Sequence, residues 1–117
     1  MVSQSFYGIH QDLMKNIIMA GQENYPGLRL FPAVNGLFYT KNNVPVKVGT
    51  NGMPDLHGWV NSLALYVEVK SGAARIKKGS AQDKFRSLCK KHNIIHIEAT
   101  SVDQFLGEMN AILRNTK

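Results

Sequence analysis

The sequence predicts a mixed α/β fold, in which a mixed β-sheet is flanked by α-helices. At 117 residues the chain can form one hydrophobic core but not two ordinary domains, so we treat residues 1–117 as a single domain. Apolar residues recur at helical spacing near the start of the sequence, and short segments of strand character follow. The rest of the chain alternates strand and helix, an order that makes the strands joined by a helix parallel.

Three helices are predicted. The first covers residues 6–20 and ends at Gly21, and the other two begin at capping boxes formed by residues 80–83 and 101–104. In each box a serine is followed, three residues later, by a side chain that can accept a hydrogen bond. The side chains expected to face inward are Ile9, Leu13, Ile17 and Ala20 in the first helix, Ala81, Phe85, Leu88, Cys89 and His92 in the second, and Val102, Phe105, Leu106, Met109 and Leu113 in the third.

Six strands are predicted. Asn42 and Asn43 form a turn between the second and third of them, and Pro45, which has no amide hydrogen to donate, places the third at an edge. The last strand is expected to lie parallel to the fifth, since a helix connects the two. The six strands are residues 28–31, 36–40, 44–48, 56–60, 63–70 and 94–99.

The fourth and fifth predicted strands form a hairpin with a two-residue loop between them. This register puts Leu56 opposite Val67 on an apolar face and, one pair further out on the other face, Asp55 opposite Glu68. Two carboxylates opposed in this way repel each other, so the pair requires a cation. Because side chains alternate along a strand, Lys70 shares the face of Glu68.

Paired carboxylates beside a lysine suit phosphodiester hydrolysis. A divalent cation such as Mg²⁺ takes oxygen ligands, acidifies water and neutralises charge on phosphoryl oxygens. Lys70 is then placed either to orient the attacking water or to stabilise the developing charge. A Glu-x-Lys pattern alone is common on solvated strand faces, so the interpretation depends on the position of Asp55 and on the basic helix that follows.

The same open face of the hairpin carries His57 and Trp59. His57 either contacts phosphate or is an ordinary surface or partly packed histidine, which is the preferred interpretation. Trp59 either stacks on a base or packs under the first helix, and packing is preferred. The remaining histidines, His10 among them, show no metal-ligand spacing.

The chain is basic, with a net charge of +6 and a pI of about 9.6. Eight of its 14 cations lie between Lys70 and Lys91, where Asp83 is the only acid. Such a cluster is either a solvated helix face or a surface that binds a polyanion. We predict that it contacts nucleic-acid phosphates rather than bases, through Arg75, Lys77, Lys78, Lys84 and Arg86.

Several classes of protein do not fit the composition. Cys89 is the only cysteine, so an internal disulfide is excluded and no zinc-ligand cluster is present. We read no targeting signal in residues 1–6, and no apolar run approaches the roughly 20 residues of a membrane span. A cytoplasmic protein without membrane partners is therefore expected.

Three segments in order carry a family resemblance. Residues 52–58 (GMPDLHG), 67–72 (VEVKSG) and 80–82 (SAQ) resemble the VRR-NUC branch of the PD-(D/E)XK nucleases, in the short stand-alone form of phages and bacteria. The resemblance covers roughly residues 6–100 and implies a restriction-endonuclease-like core. It also implies a metal-dependent endonuclease that needs Mg²⁺ or Mn²⁺ and no other small-molecule cofactor.

The resemblance assigns roles to individual residues. Asp55, Glu68 and the backbone carbonyl of Val69 would bind the metal, Lys70 would be catalytic, and Gln82 would position water or phosphate. For Gln82 an ordinary place in the first turn of a helix is the equally weighted alternative. The chain departs from the family in its first helix, where a glutamate is usual. The candidates for its place are Gln11 and Asp12, and the number of metal ions stays open.

The expected substrate is DNA, selected by structure, with branched DNA such as four-way (Holliday) junctions foremost. A symmetric homodimer is expected because resolving a junction requires two symmetric nicks. The surface for it would be the early strands, unless those side chains cover the sheet internally. One alternative is a non-catalytic nucleic-acid-binding module of the same fold, and another is a sequence-reading restriction enzyme, for which the chain leaves little room. The candidate dimer residues are Leu37, Phe38, Tyr39 and Val44.

Overall fold

The computed structural model describes residues 6–33, 36–49 and 51–115. They form a mixed α/β structure in which a mixed sheet is flanked by helices. Within this part of the chain, no helix combines the length and the apolar character needed to cross a membrane. The elements in chain order are α1 (Phe6–Asn24), β1 (Leu28–Pro32), β2 (Gly36–Tyr39), β3 (Pro45–Val48), β4 (Leu56–Val60), β5 (Leu63–Val69), α2 (Ala81–Lys91), β6 (Ile95–Ala99) and α3 (Val102–Arg114).

The main sheet has four strands in the order β1-β4-β5-β6. β4 and β5 are antiparallel, and Leu56 pairs with Val67 as predicted from the two-residue loop. β6 lies parallel to β5, which confirms the crossover expected from the intervening helix. Positive φ angles at Asn61, in the hairpin loop, and at Asn93, after α2, suit asparagine, which tolerates this conformation better than most residues.

One face of the sheet is covered by α1 and α3. Alternate residues of β5, namely Leu65, Val67 and Val69, are almost fully buried against this pair of helices. α2 lies on the opposite face, where Phe85 meets Tyr66 edge to face, with ring centroids 5.1 Å apart. The two faces therefore separate the apolar core from the face on which Glu68 lies.

The first helix is longer than predicted, because Gly21 does not end it. Gly21 is buried, and a Cβ built there would lie 2.7 Å from Leu28 Cδ2 and 3.0 Å from Phe105 Cε2. The glycine lets α1 approach β1 and α3 closely, so it serves packing rather than termination. The inward face also differs from the prediction, since Ile9 is exposed and Met14 is buried.

The capping serines begin α2 and α3 as predicted. Ser80 Oγ accepts from the Asp83 amide at 3.2 Å, and Ser101 Oγ accepts from the Gln104 amide at 3.0 Å. α3 buries Phe105 and packs its other expected side chains against the core. α2 departs from the prediction: of its expected inward residues only Cys89 is buried and Phe85 half-buried, while Ala81, Leu88 and His92 are exposed.

Strands β2 and β3 form a separate two-stranded hairpin. The sequence predicted their pairing but not their separation from the main sheet. β3 does not pair with β4, the next strand along the chain, because both edges of β4 are occupied by β1 and β5. An amide of the chain after β1 extends that pairing, since Ala33 N donates to the Asp55 carbonyl at 2.8 Å. The hairpin thus has no edge of β4 left to join.

Candidate active site

Asp55 lies at the entrance to β4, one residue before the first pair of the β4–β5 ladder. The register places it opposite Glu68, as the hairpin predicted. Its side chain reaches across to β5, where Oδ2 accepts from the Val69 amide at 2.9 Å. The carboxylate is therefore fixed toward the neighbouring strand rather than free in solvent.

The loop before Asp55 packs closely on the first turn of α2. Gly52 has a φ of +79°, and a Cβ there would lie 2.2 Å from the Ala81 carbonyl oxygen. Only glycine combines this backbone conformation with such a close approach. The contact brings the segment that carries Asp55 to the helix end that carries Gln82.

Glu68 is a buried carboxyl group, with 3% of the residue exposed. Its Oε1 accepts from Gln82 Nε2 at 2.9 Å and lies 3.6 Å from Lys70 Nζ. Its Oε2 is buried and has no hydrogen-bond partner among the described residues. Burial and then the charge of Asp55 raise the pKa of Glu68 to about 8, although Lys70 acts in the opposite direction.

Lys70 and Gln82 complete a short hydrogen-bonded chain. Lys70 Nζ donates to Gln82 Oε1 at 2.7 Å, while the amide nitrogen of the same glutamine donates to Glu68. Gln82 thus contacts both neighbours, which favours a functional position over an ordinary place in the first turn of a helix. The cap at Ser80 sets where that turn begins and so aims the glutamine at the sheet.

α1 supplies a residue that sequence reasoning did not select. His10 Nε2 lies 3.6 Å from Asp55 Oδ2, and both side chains are partly exposed. Two residues of this helix were candidates for the place of the family's glutamate. Gln11 lines a cleft together with His10 and Asp55. Asp12 is exposed and lines neither this cleft nor the neighbouring one that contains Glu68. No spacing in the sequence could have indicated His10, because its position depends on how α1 packs.

The residues meet in a cleft of about 260 Å³. Two carboxylates face it, and no group of three or more His, Cys, Asp and Glu side chains in the described ranges could hold a metal. The unpaired Oε2 of Glu68 and the repulsion from Asp55 nevertheless fit a cation that accepts few protein ligands and keeps several waters, as Mg²⁺ and Mn²⁺ do. The lining residues are His10, Asp55, Glu68, Val69, Lys70, Ser71, Ala74 and Gln82.

The five predicted phosphate-binding residues are not among those that line this cleft, and they differ in exposure. The loop before α2 is held by Ile76, whose amide donates to Glu98 Oε2 at 2.6 Å, and its neighbours Arg75 and Lys77 are exposed. Lys78 and Lys84 are also exposed. Arg86 differs, because its guanidinium pairs with two acids, Asp83 at 2.8 Å and Glu98 at 3.5 Å.

The site therefore combines an acidic pair with a partly buried lysine amine at one side of a mixed α/β fold. It is a candidate reaction centre. No protein-family model matches the chain, and none of the curated proteins matches it.

Proposed function

We propose that the protein is a metal-dependent endonuclease with a PD-(D/E)XK core, which hydrolyses DNA phosphodiester bonds. The observation that supports this most strongly is the buried carboxyl group of Glu68, which lies opposite Asp55 and beside Lys70. One of its oxygens has no hydrogen-bond partner in the part of the chain that the structure describes. The ionised form of a buried carboxyl group in such surroundings is costly unless a cation joins it. A cytoplasmic location, where DNA is accessible, belongs to the same proposal.

Each residue has a role in this proposal. Asp55, Glu68 and the backbone carbonyl of Val69 would hold Mg²⁺ or Mn²⁺, and the ion would acidify water and neutralise phosphoryl charge. Lys70 places its ammonium group where negative charge develops on the phosphate. Gln82 holds the side chains of Lys70 and Glu68 in their relative positions through its two hydrogen bonds.

The experiment that tests this function is cleavage across a panel of labelled single-stranded, duplex, flap and four-way-junction DNA, with Mg²⁺ or Mn²⁺. Cleavage that a chelator abolishes supports the enzyme. Chelator-insensitive binding without cleavage of any member supports the alternative, a nucleic-acid-binding module that keeps the fold. The geometry favours the enzyme, because a mere binding surface has no need to bury an acid beside another acid.

Gln82 provides a prediction on positioning. We expect Gln82→Ala to lower kcat by roughly 10- to 100-fold with little change in KM, since the variant frees Lys70 and Glu68 without removing either. Single-turnover cleavage with saturating enzyme measures the effect. Ser87→Ala, at an exposed position of the same helix, is the control. An unchanged kcat in Gln82→Ala would assign the glutamine to an ordinary helix turn.

The exposed lysines Lys77 and Lys78, in the loop before α2, provide a prediction on the salt dependence of DNA binding. Each phosphate contact contributes a log-log slope of about −0.9 on duplex DNA. The double variant Lys77→Gln/Lys78→Gln is therefore expected to flatten the slope by about 1.8, alike for all sequences. Lys90→Gln/Lys91→Gln, at the far end of α2, carries the same charge change as a control. If the two double variants have equal slopes, Lys77 and Lys78 form only a solvated surface.

Homodimerisation is proposed through the β2–β3 hairpin. Its exposed apolar side chains include Phe38 and Val46, which are directly paired, and the outer edges of its strands pair with no other described strand. These side chains do not cover the main sheet, which was the alternative. Tyr39 and Val44 are likewise exposed, and the side chain of Leu37 lies outside the described residues.

We expect light scattering to report a dimer at micromolar concentration, and the double variant Phe38→Ser/Val46→Ser to be monomeric. The control is Ile9→Ser, which removes a similarly exposed apolar side chain from α1. A four-way junction labelled on each strand in turn would then show paired nicks with wild type and single nicks with the double variant. A monomeric mass for the wild-type protein would contradict dimerisation and leave the nuclease proposal standing.

A further inference from the structure

Three rings lie side by side on the open face of β1 and β4. Phe31 and Trp59 have ring centroids 5.6 Å apart, and Phe31 and His57 have centroids 6.0 Å apart, both at an interplanar angle of 49°. Phe31 is 43% exposed and Trp59 47% exposed. The sequence predicted that Trp59 packs under α1. This prediction is wrong, because α1 covers the opposite face of the sheet. We call these three side chains the aromatic face.

The surroundings of the aromatic face are cationic and open. Arg29 is the register partner of Trp59, and its guanidinium donates to the Leu28 and Pro26 carbonyls and pairs with no acid among the described residues. On the other side Trp59 pairs with exposed Ala64, whose small side chain leaves the flank of the indole uncovered. An exposed ring whose register partner is an arginine suits a ligand that has both a flat ring and a negatively charged group next to it.

The aromatic face continues directly from the reaction centre. Asp55, His57 and Trp59 alternate along one strand and share one side of the sheet, so Trp59 is about 13 Å from Asp55 along the strand. Phe31, on the neighbouring strand β1, pairs with His57 and so extends the aromatic face across the sheet. A strand held by its phosphate at the acidic pair would pass its neighbouring nucleotides over these rings.

We propose that the aromatic face binds unpaired bases of the DNA strand that runs through the reaction centre. Bases in a duplex present no free faces, whereas unpaired bases stack on exposed aromatic side chains. The inference rests on the proposed nuclease function and deepens it, since it gives a physical basis for preferring branched DNA, in which bases near the branch are unpaired. Arg29 contributes charge rather than base recognition.

The only tryptophan in the chain, Trp59, provides a direct test. Its fluorescence is titrated with a short oligothymidylate in the presence of chelator, so that no cleavage occurs. We expect strong quenching with the oligothymidylate and little with an abasic oligonucleotide of equal length, which has the phosphates but no bases. Phe31→Ala should weaken oligothymidylate binding by roughly 10-fold, and Phe31→Tyr should retain it.

Met19→Ala is the matched control, because Met19 is an exposed apolar residue of α1, on the other side of the sheet. Its affinity should equal that of wild type. Equal quenching by the abasic oligonucleotide would overturn the inference, and so would an emission that changes with protein concentration alone, which would assign the aromatic face to a second copy of the chain. Metal-dependent cleavage without base-dependent quenching would overturn base binding by the aromatic face and leave the nuclease proposal standing. Quenching without cleavage would refute only the nuclease.

Discussion

Asp55→Asn and Glu68→Gln are expected to abolish divalent-metal binding and DNA cleavage together, with cleavage rates falling by about 1,000-fold or more. Both substitutions keep the shape of the side chain and replace an ionisable carboxyl group with a neutral amide. The hydrogen bonds that position these groups, from the Val69 amide and from Gln82 Nε2, can still be accepted by an amide oxygen. The loss would therefore report charge and metal ligation rather than misfolding.

Lys70→Met is expected to abolish cleavage while metal binding persists. The lysine amine lies 3.6 Å from Glu68 Oε1 and donates to Gln82, so it touches the acidic pair without being able to ligate a cation. Its removal takes away the positive charge that faces the phosphate. Metal binding is followed by isothermal titration with Mn²⁺, and cleavage by gel analysis of a labelled junction.

Two exposed residues supply matched controls for these substitutions. Glu108→Gln on α3 and Lys91→Met on α2 make the same chemical changes away from the cleft and should leave both readouts unchanged. Near-wild-type cleavage by any one of the three site variants, with folding verified by circular dichroism, would remove that residue from the proposed chemistry.

Glu68 is expected to make the folding stability of the metal-free protein depend strongly on pH. The pKa of Glu68 is raised to about 8 from an ordinary value of 4.5, chiefly by burial and then by Asp55. A folded-state pKa above the unfolded value means that folding takes up a proton, so the stability of the wild-type protein falls as pH rises from about 4.5 to 8. Glu68→Gln has no proton to lose and avoids this decline.

In chelator, Glu68→Gln is thus expected to melt several degrees above wild type at pH 9, with the difference vanishing near pH 4.5. Mg²⁺ should raise the melting temperature of wild type at pH 8 and leave that of Glu68→Gln unchanged, since a ligand stabilises only the protein that binds it. Differential scanning calorimetry at several pH values measures both effects. A variant less stable than wild type at pH 9 in chelator would mean that the buried carboxylate is compensated without a metal.

Local sequence features predicted the hairpin and its acidic pair. A two-residue loop fixes the register of β4 and β5, and that register alone places Asp55 opposite Glu68. The capping serine fixed the start of α2 and hence the position of Gln82. These inferences succeeded because each depends on interactions within a few residues or between directly connected strands.

The features that failed depend on packing between distant segments. Gly21 has the residue type of a helix end, yet α1 continues past it and the glycine lies close to Leu28 and Phe105. His10 reaches Asp55 through the placement of a whole helix on the sheet. Trp59 was expected under α1, but α1 packs on the opposite face of the sheet and leaves Trp59 exposed. Sequence spacing carries no information on such contacts.

We propose metal-dependent hydrolysis of DNA at the cleft formed by Asp55, Glu68 and Lys70. The most direct measurement follows one labelled four-way junction with protein stripped by chelator, then resupplied with Mg²⁺, beside Lys70→Met purified in parallel. We predict no cleavage by the stripped protein, restored cleavage after Mg²⁺, and none by Lys70→Met under either condition. Cleavage that persists in chelator, equal cleavage by the variant, or intact DNA after Mg²⁺ is restored would contradict the claim.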